Sequence, residues 1–331
     1  MSGYEENPKA AIVALLADGH YHSGQWLANQ LGISRTAVWK RIAALENLGL
    51  SVERTRGEGY RLAGGCELLD EKVILAGVSE RSRAQLAQLL VLDVVSSTNE
   101  IALRGLADAT MAHGVVILAE RQTQGRGRRG RSWVSPYGRN VYLSLIWHFD
   151  CGVAKLEGLS LVIGLAVIRA LRSLGVAGAA LKWPNDVMAN DAKLGGILIE
   201  LSGDINGPVS AVIGIGLNVQ MLGSIAEQID QEWTDLYSIA QRDVGRNRTA
   251  SRVLDATIEI LSEFTASSFR KFRDEWRPVD WLRGKDVTLT AAHEILEGRA
   301  DGVDEAGALI INTMNGKRTI HGGEVTVRLR N

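Results

Sequence analysis

Apolar residues in the first sixty positions recur at the spacing of three short helices and then alternate as in a β-hairpin. Asn7 followed by Pro8 predicts the start of the first helix, because proline suits the first turn behind a capping residue. Ser23 and Ser34 are predicted to cap the second and third helices, which meet across a tight turn at Gly32. The inner face of the third helix is predicted to comprise Val38, Ile42, Leu45 and Leu48. The pattern therefore predicts a winged helix-turn-helix module.

The pattern changes twice more along the chain, which predicts an α+β protein of several domains. Gly64 and Gly65 interrupt the periodicity and indicate a linker over about residues 63–72. From about residue 73 to 280, apolar strands alternate with amphipathic helices, as in a mixed α/β domain. Beyond about residue 284, short strands separated by Gly and Asp turns favour a small SH3-like β-barrel. The strands of this barrel are predicted near residues 286–290, 295–300, 308–312, 317–320 and 325–329.

Chain length agrees with this division. At roughly 100–200 residues per domain, the 331 residues allow two or three domains, which we place at residues 1–65, 66–283 and 284–331. The formal net charge is −1 at pH 7, so the molecule as a whole is not a polybasic nucleic-acid binder. Any DNA site must therefore be a local patch.

Several features predict a cytoplasmic protein without a membrane segment. Residues 1–9 are polar, unlike a signal peptide, and no apolar stretch approaches the ~20 residues that a membrane helix needs. The two cysteines, Cys66 and Cys151, lie far apart and without metal-ligand spacing, which fits a reducing compartment.

A local excess of positive charge lies in the helix-turn-helix module. Between residues 34 and 61, arginine and lysine outnumber glutamate six to three, in a chain that is otherwise slightly acidic. Such cations neutralise phosphates, and side chains at the start of a recognition helix reach base edges. The predicted DNA contacts are Ser34, Arg35, Thr36, Trp39, Lys40, Arg54, Arg56 and Arg61. Winged helices also serve in protein–protein contacts, which is the alternative interpretation.

A loop rich in glycine and arginine is predicted between the strands Val115–Ala119 and Val141–Trp147. Gly125, Gly127 and Gly130 match G-x-G-x-x-G, but a dinucleotide site needs a helix directly behind the glycines, and none fits before the next strand. Glycine lets the backbone approach a ligand closely, and arginine offers a forked donor to phosphate or carboxylate. The loop therefore predicts binding of a polyanion together with a carboxylate, with RNA or no specific ligand as the alternative.

Four further polar stretches stand beside predicted strands. They are Ser96-Ser97-Thr98-Asn99, Lys182-Trp183-Pro184-Asn185-Asp186, the stretch from Lys193 to Glu200 (KLGGILIE) and the stretch from Val212 to Asn218 (VIGIGLN). Together with the GRGRRGR loop, they resemble the motifs of the biotin protein ligase family in order and spacing. The resemblance covers essentially the whole chain. The N-terminal module makes the chain similar to the bifunctional bacterial members, rather than to the shorter ligase-only ones.

The resemblance implies an ATP-dependent ligase that forms biotinyl-5′-AMP and transfers biotin to a lysine of biotin carboxyl carrier protein. It also implies a repressor of a biotin operon, with biotinyl-5′-AMP as the corepressor, operator DNA as a partner and a homodimer when the adenylate is bound. Biotin and ATP are the implied substrates, with Mg²⁺ assisting. The alternatives are a ligase whose winged helix does not bind DNA, a lipoate or octanoate transferase, and a transcription factor with an inactive sensor domain.

The resemblance also assigns roles to residues. The implied catalytic residues are Lys193, Arg128 and Asp186. The implied biotin contacts are Ser97, Thr98, Asn99, Gln122, Gly125, Arg126, Arg128 and Lys193. The implied contacts with ATP or the adenylate are Arg126, Arg128, Arg131, Trp133, Lys193, Gly216, Asn218 and Trp233. Asp186 would orient the attacking lysine or help to hold Mg²⁺, and no other metal ligand is predicted.

Some of these residues have a structural alternative. Ser97 and Thr98 could merely cap a helix, and Asn218 could be a turn residue. Trp133 is more consistent with an anchor that orders the loop than with a stack on a base. Trp183 is expected to pack in the interior rather than contact a ligand.

Overall fold

A computed structural model describes residues 8–46, 48–221, 229–265, 268–291, 294–322 and 326–329. Its elements form an N-terminal helical module with a hairpin, a central sheet with helices, and a C-terminal antiparallel sheet, which confirms the α+β prediction. Across the described ranges, no helix is both long and apolar enough to cross a membrane. The cytoplasmic location stays a prediction.

The N-terminal module is the predicted winged helix-turn-helix. Its elements are α1 (Pro8–Leu16), α2 (Gly24–Leu31), α3 (Arg35–Glu46), β1 (Val52–Thr55) and β2 (Gly59–Leu62), which pairs antiparallel with β1. The Ser23 side chain accepts a hydrogen bond from the Trp26 amide at 3.1 Å, so Ser23 caps α2 as predicted. Gly32 ends α2 in the left-handed region with a φ of 62°. The predicted cap Asn7 lies outside the described residues.

The prediction that Leu48 belongs to the third helix is wrong. Helix α3 ends at Glu46, and Leu48 lies in the turn that follows. Gly49 adopts a φ of 77° there, and the Leu50 amide returns to the Leu45 carbonyl at 3.2 Å, which closes the helix early. Leu48 still packs against the buried cluster of the module.

A seven-stranded mixed sheet forms the centre of the molecule. Its strands are β3 (Gln88–Val95), β4 (Val115–Gln122), β5 (Val141–Phe149), β6 (Ala180–Lys182), β7 (Asp186–Ala189), β8 (Ala192–Gly203) and β9 (Val209–Leu217). The strand order is β3-β4-β5-β9-β8-β7-β6, with β3 parallel to β4 and the other neighbours antiparallel. The helices of this region are α4 (Glu71–Ala76), α5 (Glu80–Arg83), α6 (Thr98–Ala107), α7 (Leu159–Ser173), α8 (Leu236–Ala240), α9 (Arg246–Thr265) and α10 (Arg273–Trp276).

Both faces of the central sheet are buried. Leu145 and Ile213 belong to the main core, which also contains the apolar sides of α7 and α9. Ile146 and Val212, the adjacent residues along the same strands, belong to a second core under α6. This alternation follows from the period of two in a strand. Burial on both faces explains the nearly continuous apolar runs that predicted these strands.

The C-terminal region carries the five predicted strands. They are β10 (Asp286–Ala291), β11 (Glu294–Val303), β12 (Leu309–Thr313), β13 (Gly316–Ile320) and β14 (Thr326–Leu329). They form an antiparallel sheet of order β13-β12-β11-β10-β14, whose apolar residues join the main core. Trp183 of the central region is buried against it and donates a hydrogen bond from Nε1 to the Gly307 carbonyl at 3.0 Å. Trp183 therefore packs in the interior, but it also lines the cavity described below, so the absence of a ligand contact stays a prediction.

The predicted linker carries no helix or strand from residue 63 to 70, but it is held on both sides. The Cys66 amide donates to the Ala17 carbonyl of the N-terminal module at 2.9 Å. Leu69 is buried in the main core, and its amide donates to the Glu120 carboxylate at 2.6 Å. The linker is therefore fixed by hydrogen bonds to both the N-terminal module and the central region.

One residue of the glycine- and arginine-rich loop completes the core of the N-terminal module. Tyr137 is buried in the same apolar cluster as the side chains of that module. Its hydroxyl donates to the Asp93 carboxylate at 2.5 Å, and the neighbouring Arg139 donates to the Ala63 carbonyl at 3.4 Å. The N-terminal and central regions therefore share a core, and the three domain boundaries stay a prediction.

Candidate active site

The glycine- and arginine-rich loop, residues 123–140, joins β4 to β5 and lines a cavity of about 810 Å³. Its helical turn is the short 3-10 turn Arg128–Gly130, where Arg129 has a φ of 60°. No α-helix follows the glycines within this described loop, so the exclusion of a dinucleotide fingerprint holds. The cavity brings together most predicted site residues, namely Ser97, Thr98, Asn99, Gln122, Arg126, Arg128, Arg131, Trp133, Asp186, Lys193, Gly216, Asn218 and Trp233.

A neutral hydrogen-bonding group forms one part of the cavity wall. The Gln122 side-chain oxygen accepts from the Thr98 amide at 2.9 Å and from the Thr98 hydroxyl at 3.1 Å. The Gln122 amide nitrogen donates to the Ser135 hydroxyl at 3.1 Å. Ser97 stands at the N-terminal cap of α6, but its side chain makes no capping hydrogen bond. Its hydroxyl is therefore not committed to the helix, which favours the ligand role over the capping alternative.

Asn99 connects this group to the loop. Its amide nitrogen donates to the Glu200 carboxylate at 2.8 Å and to the Leu198 carbonyl at 3.2 Å, while its oxygen accepts from the Ser144 hydroxyl at 2.6 Å. Arg126 donates to the same Glu200 oxygen at 3.3 Å. The Asn99 amide thus supports the wall from behind, and its direct contact with biotin stays a prediction.

Cations line another part of the cavity. Lys193 and Asp186 form an ion pair with an Nζ–Oδ1 distance of 2.8 Å, and both side chains are mostly buried. Arg128 donates to the Asn185 side-chain oxygen at 3.3 Å. Burial lowers the pKa of the Arg128 guanidinium and of the Lys182 ammonium, and the Asp186 charge opposes both shifts. Because the cations outnumber the carboxylate here, this wall suits an anion.

Trp133 lies over the backbone at the centre of the site. A Cβ atom on Gly216 would stand 2.8 Å from the Trp133 ring, and one on Gly196 would stand 3.5 Å away. The Lys193 ammonium lies 5.5 Å from the ring centroid, within cation–π range. Gly125 lies outside the cavity lining, where a Cβ atom would collide with the Trp133 carbonyl oxygen at 2.5 Å. Gly125 therefore shapes the loop, and its contact with biotin stays a prediction.

Asn218 and Trp233 stand where β9 and the segment before α8 meet. Asn218 is buried, and its amide nitrogen donates to the Thr234 carbonyl at 3.0 Å. The Thr234 amide in turn donates to the Lys193 carbonyl at 2.9 Å, which ties Trp233 to the strand of Lys193. Trp233 is half-buried on the cavity wall. Nucleotide contacts of both residues stay predictions.

The predicted DNA-binding face is exposed on α3 and the wing. Arg35, Thr36, Trp39, Lys40, Arg54 and Arg56 are exposed, and Arg61 is half-buried. The Ser34 hydroxyl accepts from the Ala37 amide at 3.2 Å and so caps α3. Arg54 pairs with Glu46 at 2.8 Å and Arg61 with Glu53 at 2.7 Å. Exposed ion pairs of this kind are worth ~0–1 kcal/mol, so a phosphate can compete for both arginines.

Comparisons with known proteins follow this division of the chain. A family model described as an HTH domain matches residues 9–61, one described as the biotin/lipoate A/B protein ligase family matches 91–218, and one described as the biotin protein ligase C-terminal domain matches 283–328. The bifunctional ligase/repressor BirA of Escherichia coli strain K12 is 36% identical over 317 residues, which cover 96% of each chain. The protein belongs to the bifunctional ligase/repressor BirA family.

Other members and relatives of this family extend the comparison. BirA of Bacillus subtilis strain 168 is 31% identical over 93% of the present chain and 94% of its own. A structure of the biotin protein ligase from Aquifex aeolicus in complex with biotin and ATP matches with a TM-score of 0.65 and 33% identity, over 74% of this chain and all of that chain. The resemblance stated from the motifs is therefore confirmed, and so are the predictions of fold class and enzyme class.

Three cations that line the BirA-family site were not among the predicted site residues, and one of them is Arg129 of the loop. Lys182 of β6 and Arg328 of β14 both line the cavity. Lys182 begins the KWPND stretch, and its charge within that motif was a signal that could have identified it as a site residue. Arg328 lies in the C-terminal sheet, 110 positions beyond Asn218, and no local pattern distinguishes it from the other arginines there. Only the packing of β14 beside the central region brings it to the cavity.

Proposed function

We propose that the protein is an ATP-dependent biotin protein ligase that also represses a biotin operon. One observation carries the enzymatic part: the neutral group of Ser97, Thr98 and Gln122 shares a single cavity with the cations Arg128 and Lys193. Biotin has a polar, uncharged ureido ring and a carboxylate, and ATP brings a triphosphate, so the two kinds of wall suit the two substrates. The Aquifex aeolicus ligase in complex with biotin and ATP supports this pairing.

The proposed reaction has two steps. An oxygen of the biotin carboxylate bonds to the α-phosphorus of ATP, and pyrophosphate leaves with the electron pair of the broken bond. The amine of a lysine on biotin carboxyl carrier protein then attacks the carbonyl carbon, loses a proton, and displaces AMP. In the first step two anions must approach each other, so positive charge fixed beside the α-phosphate lowers the barrier. Arg128 and Lys193 supply this charge, and Asp186 orients the Lys193 ammonium at 2.8 Å.

Magnesium is proposed to enter the site with ATP. Among the residues that the structure describes, no group of three or more His, Cys, Asp or Glu side chains could hold a metal ion. Mg²⁺ is commonly held by substrate phosphates and one or two carboxylates, and Asp186 and Asp230 are available on the cavity wall. The site therefore fits MgATP as substrate, and the described residues do not form a complete metal cage of their own.

Biotin-dependent exchange between ATP and pyrophosphate tests the first step. Lys193→Ala should reduce this exchange by ~10²–10³-fold, as expected for removing a preorganised charge, while Lys72→Ala on the exposed side of α4 should not. Exchange that requires lipoate or octanoate in place of biotin would overturn the substrate. Absence of exchange with all three acids would leave a regulatory protein and overturn the ligase.

The repressor part of the proposal concerns operator DNA and a second copy of the chain. The exposed cations of α3 and the wing support binding to DNA, and the BirA family of repressors supports the biotin operon as the target. We propose that biotinyl-5′-AMP is the corepressor and that the adenylate-bound protein is a homodimer. When biotin and ATP are added together, the sedimentation coefficient of the protein and its affinity for operator DNA should both increase. Operator binding that ignores biotin would contradict this part and leave the ligase intact.

A further inference from the structure

A single buried guanidinium joins three segments of the chain. Arg246, the first residue of α9, is 3% exposed. Its side chain donates to the Asn140 carbonyl from Nε at 3.2 Å and from Nη2 at 3.0 Å. Nη1 donates to the Glu120 carboxylate at 2.7 Å and to the Glu67 carbonyl oxygen. All three nitrogens of the guanidinium are therefore engaged, and each partner lies in a different part of the fold.

Two of these partners are the stems of the glycine- and arginine-rich loop. Glu120 lies near the end of β4, and Asn140 is the last residue before β5. The Gly138 amide donates to the Glu120 carbonyl at 3.0 Å, which adds a direct bond between the stems. Arg246 thus holds both ends of the loop that lines the cavity.

The third partner is the linker to the winged helix. The Glu67 carboxylate accepts from the Arg246 amide and, at 2.8 Å, from the Asn247 side chain. The Leu69 amide donates to the Oε1 atom of the same Glu120 carboxylate at 2.6 Å. Glu120 is fully buried, and removing one partner from such a charge is strongly unfavourable. Linker and loop stems therefore depend on the same ion pair.

The same hydrogen bonds continue toward the phosphate-binding wall. The Asn140 side chain donates to the Asn218 oxygen at 3.3 Å, and Asn218 donates to the Thr234 carbonyl at 3.0 Å. The Thr234 amide reaches the Lys193 carbonyl at 2.9 Å. A continuous set of buried polar contacts thus runs from the linker to the strand of Lys193.

We propose that Arg246 is a positioning residue that couples the order of the glycine- and arginine-rich loop to the linker of the winged helix. This inference rests on the proposed function, because the ordering ligand is taken to be the adenylate. The guanidinium is planar and rigid, so it cannot follow one partner without loosening the bonds to the others. A ligand that fixes the loop stems therefore tightens the linker.

Amide hydrogen exchange on the full chain tests the coupling. Peptides covering residues 63–70 are measured with and without biotin and MgATP, and biotinyl-5′-AMP formation is assayed in the same samples. We expect the linker amides to exchange about 5-fold more slowly when ligand is bound. This factor is at the lower end of the range for coupling between sites. Adenylate formation with an unchanged linker would overturn the coupling. No adenylate would overturn the proposed function instead.

Two variants separate coupling from simple structural support. Glu67→Ala removes the carboxylate that accepts from the Arg246 amide and the Asn247 side chain but keeps the carbonyl that the guanidinium bonds, so it should keep adenylate formation at the wild-type rate while losing part of the linker response. Glu71→Ala removes an equal charge on α4, away from the contacts of Arg246, and should keep both adenylate formation and the linker response. Arg246→Lys keeps a charge beside Glu120 but not the fork, and should lose the response as well. An undiminished linker response in folded Arg246→Lys refutes the proposal. If Arg246→Lys does not fold, the wild type decides: ligand that slows exchange of the loop amides at residues 123–140 without slowing those at 63–70 refutes the proposal.

Discussion

The absence of a side chain at Gly216 determines where Trp133 lies in the cavity. Because Gly216 has no Cβ atom, the indole ring can lie against the backbone of β9. The ring nitrogen is buried and has no hydrogen-bond partner within the described part of the chain. An unpaired buried N–H is costly, so an acceptor on a bound ligand would be favoured at that point. The predicted contact of Trp133 with the adenylate agrees with this chemistry.

Gly216→Ala should displace the indole. A Cβ atom there would stand 2.8 Å from the ring, and overpacking of this kind typically costs about 1–3 kcal/mol. We expect a lower free energy of unfolding and weaker binding of biotin and ATP, measured by calorimetry. Gly322→Ala is the control, because a Cβ atom at Gly322 has no neighbour within 4 Å among the residues that the structure describes. Unchanged ligand binding in Gly216→Ala would show that the position of Trp133 is not needed.

The wing arginines should differ in their effect on DNA binding. Arg56 is exposed and has no ion-pair partner among the described residues, whereas Arg54 must first leave Glu46 at 2.8 Å. Arg56→Ala is therefore expected to lower the slope of log affinity against log salt by about one, as for the loss of one phosphate contact. Arg54→Ala should lower it less. Titration of one duplex over a range of salt concentrations measures both, and equal slopes for wild type and Arg56→Ala would remove Arg56 from the interface.

At the scale of elements, sequence patterns predicted what depends on local periodicity. The central strands were found because burial on both faces makes them continuously apolar, and α2 was found because Ser23 and Gly32 mark its ends. Contacts between distant polar residues could not be found in this way. Arg246 and Glu120 are 126 positions apart, and nothing in either local pattern indicates that they meet. Within the site, charge and glycine content indicated the loop, but the position of Arg328 depends on tertiary packing.

Helix α3 offers a test that separates its stability from its contact with DNA. The Ser34 hydroxyl caps α3, so Ser34→Ala should lower the free energy of unfolding of the module by about 1 kcal/mol. Ser34→Asp keeps a good cap but adds a negative charge beside the predicted DNA face, so it should preserve stability and weaken DNA binding. Thermal unfolding and DNA titration of the two variants measure the two effects. Normal DNA binding by Ser34→Asp would exclude Ser34 from the interface.

The linker should respond to alkaline pH through Cys66. Burial, with a further contribution from the Glu120 charge, raises the pKa of the Cys66 thiol to about 11 from an ordinary value of 9.0. The folded protein retains the proton between these values while the unfolded chain releases it. The free energy of unfolding should therefore fall as pH rises from 9 to 11, by at most about 2–3 kcal/mol. Denaturant titrations of Cys66→Ala should lack this part of the slope, and those of Cys151→Ala should keep it.

At the scale of the whole molecule, the N-terminal and central regions share Tyr137, so we expect them to unfold together. Tyr137→Ala would open a cavity in the core of the winged helix, and truncating a buried aromatic residue typically costs about 3–5 kcal/mol. We expect calorimetry to show an early, separate transition for the N-terminal module in this variant. Tyr237→Ala, at an exposed position, is the control. A single unshifted transition in Tyr137→Ala would show that the two regions do not depend on this contact.

The location of Tyr137 and Arg328 also has a consequence for the growing chain on the ribosome. The three helices and the wing of the N-terminal module are synthesised first, but the core of that module is incomplete until Tyr137 has been added. The wall of the cavity is completed later, when β14, which carries Arg328, has been synthesised. A nascent chain therefore holds an unfinished DNA-binding module until Tyr137 has been made, and its catalytic cavity is assembled from segments as far apart in synthesis as Ser97 and Arg328.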